Sequence, residues 1–410
     1  MKNVLFIHQN FPGQFRGIAL ALSGRTDWRV LGICRDGAAG LPGIEMLRYK
    51  LHRHPANGTH HYLHGYENGV LHGQAVLRLL ISLKKGGYRP DVIVGHPGWG
   101  ETLYVKEVFP HTSLIHFCEY YYHTRGADAG FDPEFPLDIN DAARIRTRNA
   151  MHLLNLEQCD LGVTPTRWQH SLHPSAYRDK IHIIHEGIDT ACLRPDMGAT
   201  LKLPNGRILR AGDAVVTYVA RNLEPYRGFH KFMRALPTIL RCHPDCEVVI
   251  VGGNEVSYGN KPVDARDWRS KMLMENPVDQ NRVHFLGKVP YEVFKKVLQV
   301  SAAHVYLTYP FVLSWSMLEA MASGCVVIGS KTAPVEEVIK HGETGILVNF
   351  HDHMELAESV LSVLHRRVDT ALMRATAREC MAKRYKLETG VQQYEMLING
   401  SHPSSHAMPD

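Results

Sequence analysis

Two arginines stand on either side of a short stretch in the second half of the chain. Arg221 and Arg227 are six positions apart and follow the apolar run 214–220, which is typical of a buried strand. A guanidinium keeps its charge and can bind a phosphate through two parallel hydrogen bonds. Two such groups at the end of a strand can hold a diphosphate and neutralise it as a leaving group. The plainer alternative is a pair of solvated turn arginines.

A second polar group interrupts an apolar stretch near position 315. Ser314 and Ser316 are suited to cap a helix that carries Glu319, and Trp315 lies between them. Free amides at the start of such a helix favour an anion. A carboxylate inside an apolar stretch needs hydrogen-bond donors, and the two hydroxyls of a ribose would supply them. The alternative is that Glu319 caps structural amides.

The loop between the first predicted strand and the first predicted helix contains Gly13 and Gln14. A glycine there lets the backbone approach a phosphate, and the following helix start favours an anion. The loop matches neither the G-x-G-x-x-G pattern nor the phosphate loop of nucleoside triphosphatases. This argues against a dinucleotide-dependent oxidoreductase. An ordinary strand-to-helix turn is an equally good interpretation of the loop alone.

Metal-ligating residue types are present, but their spacing is irregular. Six histidines occur in a segment that is rich in Gly, Pro and Asn: His52, His54, His60, His61, His64 and His72. We predict a loop there, either plainly solvated, on the acceptor side of a site, or metal-binding. Cys242 and Cys246 form the only close cysteine pair and lack the second pair of a typical zinc site. No Asp-x-Asp pair occurs, so we expect no metal and no cofactor, with arginines neutralising a diphosphate instead.

Length and composition bound the class of protein. The chain has 410 residues, of which 44% are hydrophobic and 21% charged, as in a globular protein of two or three domains. These values exclude a disordered chain, a collagen-like fibre and a disulfide-stapled miniprotein. The net charge of +5 suits a small anionic ligand or an anionic membrane surface better than a nucleic acid.

Hydropathy bears on the location of the protein. The apolar run at the N-terminus is too short for a signal peptide, and no run of 18 apolar residues exists. We therefore expect a cytoplasmic protein. Peripheral association with the inner face of the membrane stays open, through basic side chains of two predicted helices: Lys84, Lys85, Arg144, Arg146 and Arg148.

Short apolar strands alternate with helical patterns in two successive blocks. The first block has predicted strands at 4–8, 28–34, 91–95, 113–118 and 161–165 and predicted helices at 17–22, 74–85 and 141–159. The second has strands at 214–220, 247–252, 282–286, 304–308 and 326–330 and helices at 228–242, 291–300 and 317–323. This alternation predicts α/β architecture with two Rossmann-like, doubly wound parallel sheets.

The same pattern predicts the domain boundaries. We expect an N-terminal domain over 1–190, a linker over 189–212 and a C-terminal domain over 191–384. A last helix over 385–400 would return to the first domain, and the polar tail 401–410 would be disordered. Ligands of such sheets lie beyond the carboxyl ends of the strands, so the two domains would share one inter-domain cleft.

Several segments of the second block carry a resemblance to a known family, and they occur in the family's order. They are 183–189, 285–290, 318–324, 326–328, 334–339 and 341–348. They resemble the nucleotide-sugar-binding region of the GT-B glycosyltransferases of family 4, also called group 1, which are retaining enzymes. The first block resembles the family more loosely, through the loop at Gly13 and a turn that contains His96, Gly98, Trp99 and Glu101.

The resemblance implies a function and a role for each matching residue. It implies a retaining glycosyltransferase that moves a sugar from a nucleoside diphosphate sugar to a glycan or lipid-linked acceptor, in polysaccharide or glycoconjugate biosynthesis. Arg221 and Arg227 match diphosphate-binding positions, and Glu319 matches the second Glu of the E-x7-E motif, which binds the donor ribose. Further donor-side matches are Gly13, Gln14, Lys288, Val289, Ser314, Trp315 and Ser316, and the acceptor-side matches are His96, Gly98, Trp99 and Glu101.

The family also has a histidine after a strand of the first domain, beside the sugar. In this sequence the candidates are His116, Glu119 and His123. His116 matches in residue type, but on an alternating strand it could face the core. Glu119 lies at the carboxyl end of the strand and is better placed to orient an acceptor or stabilise positive charge on the sugar.

Two departures from the family pattern leave other functions open. Phe311 stands where the family has the first Glu of E-x7-E, and Arg227 stands in place of a Lys. Phe311 makes a catalytically silent nucleotide-sugar-binding subunit one alternative. A sugar-nucleotide epimerase is another, because it could use the same two-domain architecture. An oxidoreductase that uses NAD is the least favoured one, because the glycine pattern is missing.

Overall fold

A computed structural model of the chain describes residues 1–366 and 368–400. The chain divides into two compact units, and the predicted tail 401–410 lies outside the described residues. The first unit comprises Met1–Gly187 and the last helix of the chain, and the second comprises Ile188–Lys386. Among the described residues, no helix is both long enough and apolar enough to cross a membrane.

The first unit is built on a parallel sheet of seven strands. The strands are β1 (Lys2–Ile7), β2 (Trp28–Arg35), β3 (Glu45–Tyr49), β4 (Val92–Gly95), β5 (Ser113–Phe117), β6 (Leu161–Thr164) and β7 (Ile181–Ile183). They lie in the order β3-β2-β1-β4-β5-β6-β7, so the strand order reverses between β1 and β4. At such a switch point the loops on either side diverge and leave room for a ligand.

Helices cover both faces of this sheet. They are α1 (Arg16–Ser23), α2 (His64–Lys85), α3 (Val105–Val108), α4 (Ile139–Gln158), α5 (Arg167–Leu172) and α6 (Ser175–Arg178). Alternate residues of β1 enter two different cores: Phe6 packs with Phe15 and Ile18, whereas Leu5 packs with Val76 and Leu80. A strand buried on both faces must be apolar throughout, which explains the unbroken run Val4–Ile7.

The second unit repeats this design with a parallel sheet of six strands. A short antiparallel hairpin, β8 (Thr200–Lys202) and β9 (Ile208–Arg210), precedes it. The sheet contains β10 (Val215–Asn222), β11 (Glu247–Gly253), β12 (Val283–Gly287), β13 (Ala303–Tyr306), β14 (Val326–Ser330) and β15 (Ile346–Val348). The order β12-β11-β10-β13-β14-β15 places its switch point between β10 and β13.

The helices of the second unit follow the strands in alternation. They are α7 (Phe229–Cys242), α8 (Trp268–Glu275), α9 (Tyr291–Gln299), α10 (Trp315–Ala322), α11 (Ala333–Glu336), α12 (His353–Leu364) and α13 (Thr370–Arg384). The last helix, α14 (Leu387–Ile398), packs on α1 of the first unit, and Tyr394 and Leu397 enter the core there. The predicted pair of doubly wound, parallel α/β sheets is thus confirmed.

Three local predictions were wrong. The segment 189–212, predicted as a linker, contains the β8–β9 hairpin, whose Leu201 and Leu209 are buried. Helix α2 begins at His64, ten residues before the predicted start, so His64 and His72 are helical rather than part of a loop. The early turns of α2 contain Gly65, Gly69 and Gly73, which are weak helix formers, and tertiary packing overrides that preference.

Candidate functional site

The first unit gathers three aromatic rings at its switch point. His8 follows β1 directly, and His96 and Trp99 follow β4. The His96 and Trp99 rings stack with centroids 4.3 Å apart, and His8 lies 5.2 Å from each of them, edge to face. Gly98 donates its amide to His96 Nδ1 at 3.1 Å, which fixes the turn and leaves the proton on His96 Nε2. The predicted residues His96, Gly98 and Trp99 therefore form one rigid group.

A chain of hydrogen bonds joins this group to Glu119. The Nε2 atom of His8 lies 2.9 Å from Gln14 Oε1, and Gln14 donates to Glu119 Oε1 at 2.8 Å. His96 Nε2 lies 3.4 Å from the other oxygen, Glu119 Oε2. Burial opposes ionisation of Glu119, but the combined effect of His96, His8 and Gln14 is larger, and the pKa of Glu119 falls below its usual value. Glu119 is thus a fixed carboxylate at the end of β5, with 29% of its side chain exposed.

Two features explain why the loops can pack so closely. Gly13 has a φ of +47°, and a Cβ atom there would collide with the His8 ring. Gly100 has a φ of +97°, and its Cβ atom would collide with the backbone of Gly69 in α2. Burial lowers the pKa of His8 to about 3, with His96 adding to the effect, so His8 is neutral near pH 7. His8 was not among the predicted site residues, although it is a polar residue directly after a buried strand.

Glu101 does not join this group but lies beneath it. Its Oε1 atom accepts from Tyr49 Oη at 2.5 Å and from Gln9 Nε2 at 3.0 Å, and Tyr49 also contacts His72 Nδ1 at 2.8 Å. The Glu101 side chain is only 1% exposed, and burial raises its pKa. These hydrogen bonds fix the turn after β4 through side chains that are buried inside the unit. It also shows that His72 is buried, with a protein partner.

The three candidates near β5 lie in different environments. His116 pairs with Gly95 and Gly162 in the middle of the sheet and is fully buried. His123 Nε2 lies 2.7 Å from the carbonyl of Leu172. Only Glu119 lies among the loops at the carboxyl ends of β1 and β4.

The second unit buries a cation at its own switch point. Arg227 is 8% exposed, and its Nη1 atom donates to Thr308 Oγ1 at 2.8 Å, to the Val312 carbonyl at 3.0 Å and to Tyr306 Oη at 3.3 Å. Within residues 1–366 and 368–400, no carboxylate lies within ion-pair distance of Arg227. A buried cation is costly without a partner anion. This location at the carboxyl end of a parallel sheet suits an anionic ligand.

The start of α10 adds to the same positive region. Ser314 caps the helix through its Oγ atom and donates its amide to Tyr306 Oη at 2.9 Å. Tyr306 therefore links Arg227 to the helix start through a single hydroxyl oxygen. Ser316 Oγ lies 2.9 Å from Ser314 Oγ, and Trp315 is 41% exposed. The partial positive charge of a helix N-terminus and a buried guanidinium reinforce each other.

Arg221 and Glu319 lie at exposed and half-buried positions of this edge. Arg221 is exposed near the end of β10, and its guanidinium has no protein acceptor in the part of the chain that the structure describes. Glu319 accepts from Tyr291 Oη at 3.2 Å, and burial raises the pKa of Glu319 to about 7. Neither Tyr291 nor Tyr306 was predicted as a site residue, because both contacts depend on packing between distant segments.

The remaining donor-side candidates surround these groups. Lys288 is exposed and pairs with Glu255 Oε2 at 2.9 Å, and Val289 is half-buried against the core. The Phe311 ring packs edge to face against Tyr258 and Tyr226, with centroids 4.9 and 5.6 Å away. An aromatic cluster thus occupies position 311, where the family resemblance implies a carboxylate.

Comparison with known proteins extends these observations. The profile described as "Glycosyl transferase family 4 group" matches residues 26–193, and the one described as "Glycosyl transferases group 1" matches residues 205–380. Together they take in more than four-fifths of the chain. The D-inositol 3-phosphate glycosyltransferase of Nocardia farcinica is 27% identical over 194 residues, which are 47% of this chain and 41% of that relative. The chain therefore spans less than half the length of this curated relative.

Two solved structures resemble the whole chain. Sucrose-phosphate synthase from Thermosynechococcus elongatus aligns with a TM-score of 0.72 over 98% of this chain and 99% of that one, at 18% identity. The Anabaena protein HepE, solved in complex with UDP-glucose, aligns with a TM-score of 0.69 over 98% of this chain and all of that one, at 16% identity. At such identities the likeness establishes a shared fold.

Proposed function

The chain belongs to the group 1 glycosyltransferases of family 4 and has the GT-B fold, and from this premise we propose that it is a retaining glycosyltransferase. It transfers a sugar from a nucleoside diphosphate sugar to a hydroxyl of a glycan or lipid-linked acceptor. The observation that carries this proposal is the buried Arg227, which has no carboxylate partner among the described residues and shares Tyr306 with the start of α10. This constellation is suited to a diphosphate.

The chemistry of the donor side follows from charge. Breaking the bond between sugar and diphosphate leaves negative charge on the departing phosphate. Arg221, Arg227 and the positive end of the α10 dipole meet that charge with groups that are already in place, and so lower the barrier. These groups supply the positive charge without a metal, so we propose that no metal or other cofactor takes part. Glu319 accepts hydrogen bonds from the ribose.

The acceptor side is assigned to the first unit. Glu119 is fixed by Gln14 and faces His96, so its charge can orient an acceptor hydroxyl or stabilise positive charge on the sugar. Replacing Glu119 with alanine is expected to lower sugar transfer about 100-fold, the usual effect of losing one preorganised polar group. The dissociation constant for UDP should change far less than sugar transfer does, because Arg221, Arg227 and Glu319 belong to the second unit. An equal loss of UDP binding would contradict this assignment.

Phe311 favours one alternative function. Its ring is buried against Tyr226 and Tyr258, so no carboxylate from this position can contact a donor sugar. A catalytically silent subunit would bind a nucleotide sugar and never release the nucleotide. Calorimetric titration with UDP, GDP, ADP and NAD, followed by an assay for nucleotide release from the matching sugar donors, separates the two functions. Release of the bound nucleotide supports the transferase, binding without release supports the silent subunit, and no diphosphate binding would overturn both.

Peripheral attachment to the cytoplasmic face of a membrane is the second part of this proposal. On the adjacent helices α2 and α4, the exposed apolar side chains Ile81, Leu153 and Leu154 accompany the exposed cations Arg78, Lys85 and Arg146. Arg144 pairs with Asp141, and Arg148 stacks on Tyr122, so these two are less available. Cosedimentation with vesicles should increase with the fraction of anionic lipid and decrease with salt. Vesicle binding that depends on neither the anionic lipid fraction nor the salt concentration would contradict this electrostatic attachment.

A further inference from the structure

Glu224 is a buried carboxylate that no role in the proposed function accounts for. It follows β10 by two residues, directly precedes the turn Pro225–Arg227 and is 1% exposed. Its oxygens accept three consecutive backbone amides, from Ser257 at 3.0 Å, Tyr258 at 3.1 Å and Gly259 at 3.0 Å. Consecutive amides that converge on one carboxylate form a strong anion nest. Glu224 therefore ties the loop after β11 to the turn that carries Arg227.

A second contact holds the same loop from the strand itself. The side-chain amide of Asn222 hydrogen-bonds Ser257 Oγ at 2.8 Å. Residues 222 and 224 thus hold the loop on both sides of the strand end, within a single compact unit. The contacts fix the direction in which the loop presents Tyr258.

Tyr258 transmits this constraint to Arg227. The Arg227 guanidinium carbon lies 5.3 Å from the centre of the Tyr258 ring, and that ring packs on Phe311 with centroids 4.9 Å apart. Thr308, Tyr306 and the Val312 carbonyl hold the Nη1 atom of Arg227 at the same time. The ring of Tyr258 thereby provides a cation–π wall that restricts the guanidinium. Without that wall, hydration and rotation of the guanidinium compete with its binding of an anion.

We propose that Glu224 is a positioning residue that acts through the loop 257–259 and Tyr258 to hold Arg227 in its diphosphate-binding orientation. The inference rests on the proposed function, since it assumes that Arg227 contacts the second phosphate of the donor nucleotide. Its consequence is specific: Glu224 strengthens binding of a nucleoside diphosphate and has little effect on a monophosphate. A residue that merely stabilised the fold would affect both nucleotides equally.

The Glu224→Gln variant tests this role with calorimetry on the full chain, using UDP and UMP as probes. A glutamine has one acceptor oxygen, so at least one of the three amides then faces an NH2 group. We expect the UDP dissociation constant to rise about tenfold, as for the loss of a well-placed cation–π or charge-assisted contact. The UMP dissociation constant should change less than twofold. Tyr258→Leu should reproduce this pattern, because it removes the ring and leaves Glu224 in place.

Glu379→Gln is the matched control, since Glu379 is an exposed carboxylate of the same unit that pairs with Lys383 within α13. It should bind both nucleotides as the wild type does. A folded Glu224→Gln protein that keeps the wild-type ratio of UDP to UMP affinity, or loses both affinities equally, would overturn the inference. If Glu224→Gln does not fold, the ratio of UDP to UMP affinity of Tyr258→Leu tests the inference in the same way. Wild-type protein that does not prefer UDP to UMP would instead overturn the proposed function.

Discussion

Replacing Arg221 with alanine is expected to lower the turnover number by roughly 100- to 1,000-fold, the range found when one preorganised electrostatic contact to a developing charge is removed. The melting temperature should stay within about one degree, because surface substitutions without packed partners change stability very little. Arg221 is exposed, and no protein acceptor in the described residues engages its guanidinium. Its removal therefore leaves no cavity and no unsatisfied partner.

The measurement is steady-state release of nucleotide from a sugar donor, with the melting temperature recorded on the same samples. Arg221→Lys keeps the charge but loses the two-pronged geometry, so it should recover only part of the activity. Arg241→Ala is the matched control, since Arg241 is an exposed arginine whose guanidinium contacts Thr238 within α7. Turnover like that of the wild type in Arg221→Ala would refute the diphosphate assignment.

The contrast with Arg227 shows why Arg221 gives the cleaner experiment. Arg227 is buried, and its Nη1 atom satisfies Thr308, Tyr306 and a carbonyl. Truncation there would leave buried polar groups without a partner, which costs about 1–3 kcal/mol for each group. Loss of activity in an Arg227 variant would therefore combine loss of the fold with loss of the site. The two arginines look equivalent in the sequence, and only burial separates them.

The alternation of apolar strands and helices was sufficient to predict both sheets, although it missed the edge strands β3, β7 and β15. The central parts of β1 and β11, Val4–Ile7 and Val248–Val251, are buried on two faces and are continuously apolar, so they stand out in the sequence. The strand β3 was missed because it is an edge strand in which charged and apolar side chains mix. The β8–β9 hairpin was missed because each of its strands has only three residues. Pro and Gly residues flank these short strands, so the segment has the composition of a linker.

The sequence predicted site residues that directly follow a strand. It did not predict the contacts that a site residue makes with partners distant in the chain. Arg221 and Glu119 lie at strand ends, which the chain order alone reveals. Arg227 meets Thr308 across 81 positions, and Glu224 meets Tyr258 across 34. Such contacts are set by strand order and loop path, and neither leaves a periodic pattern in the sequence. The sequence favoured Glu119 over His116, and the end of β5 at Phe117 leaves His116 buried in the sheet and Glu119 in the loop that follows.

Replacing Glu319 with glutamine is expected to stabilise the protein at pH 8 and to weaken nucleotide binding at the same time. Burial raises the pKa of Glu319 from 4.5 to about 7 in the folded chain. The unfolded chain therefore loses this proton at lower pH than the folded chain does. Folding stability falls as pH rises from about 4.5 to about 7 and is then constant, by a total on the order of 3 kcal/mol. Glutamine removes this loss, because it does not ionise.

Measuring the melting temperatures of both proteins at pH 5 and pH 8 checks the sign of the expected stability change. Glu319→Gln should melt several degrees above the wild type at pH 8, since about 1 kcal/mol corresponds to 2–4 °C for a unit of this size. The two proteins should differ little at pH 5, where the carboxyl group is protonated in the folded chain. A variant that melts below the wild type at pH 8 would show that the carboxylate stabilises the fold instead.

Nucleotide affinity should show the opposite pH trend. An ionised carboxylate accepts two hydroxyl hydrogen bonds, so a pKa of about 7 predicts that wild-type affinity for UDP rises up to about tenfold between pH 6 and pH 8. The UDP phosphates also titrate in this range, but they do so equally for both proteins. The difference between wild type and Glu319→Gln therefore isolates the carboxylate, and it should shrink with 2′-deoxy-UDP. Parallel pH profiles for the two proteins would exclude Glu319 as the ribose acceptor. If Glu319→Gln is more stable than the wild type at pH 8 and binds UDP more weakly, the charge of Glu319 destabilises the fold and serves ligand binding.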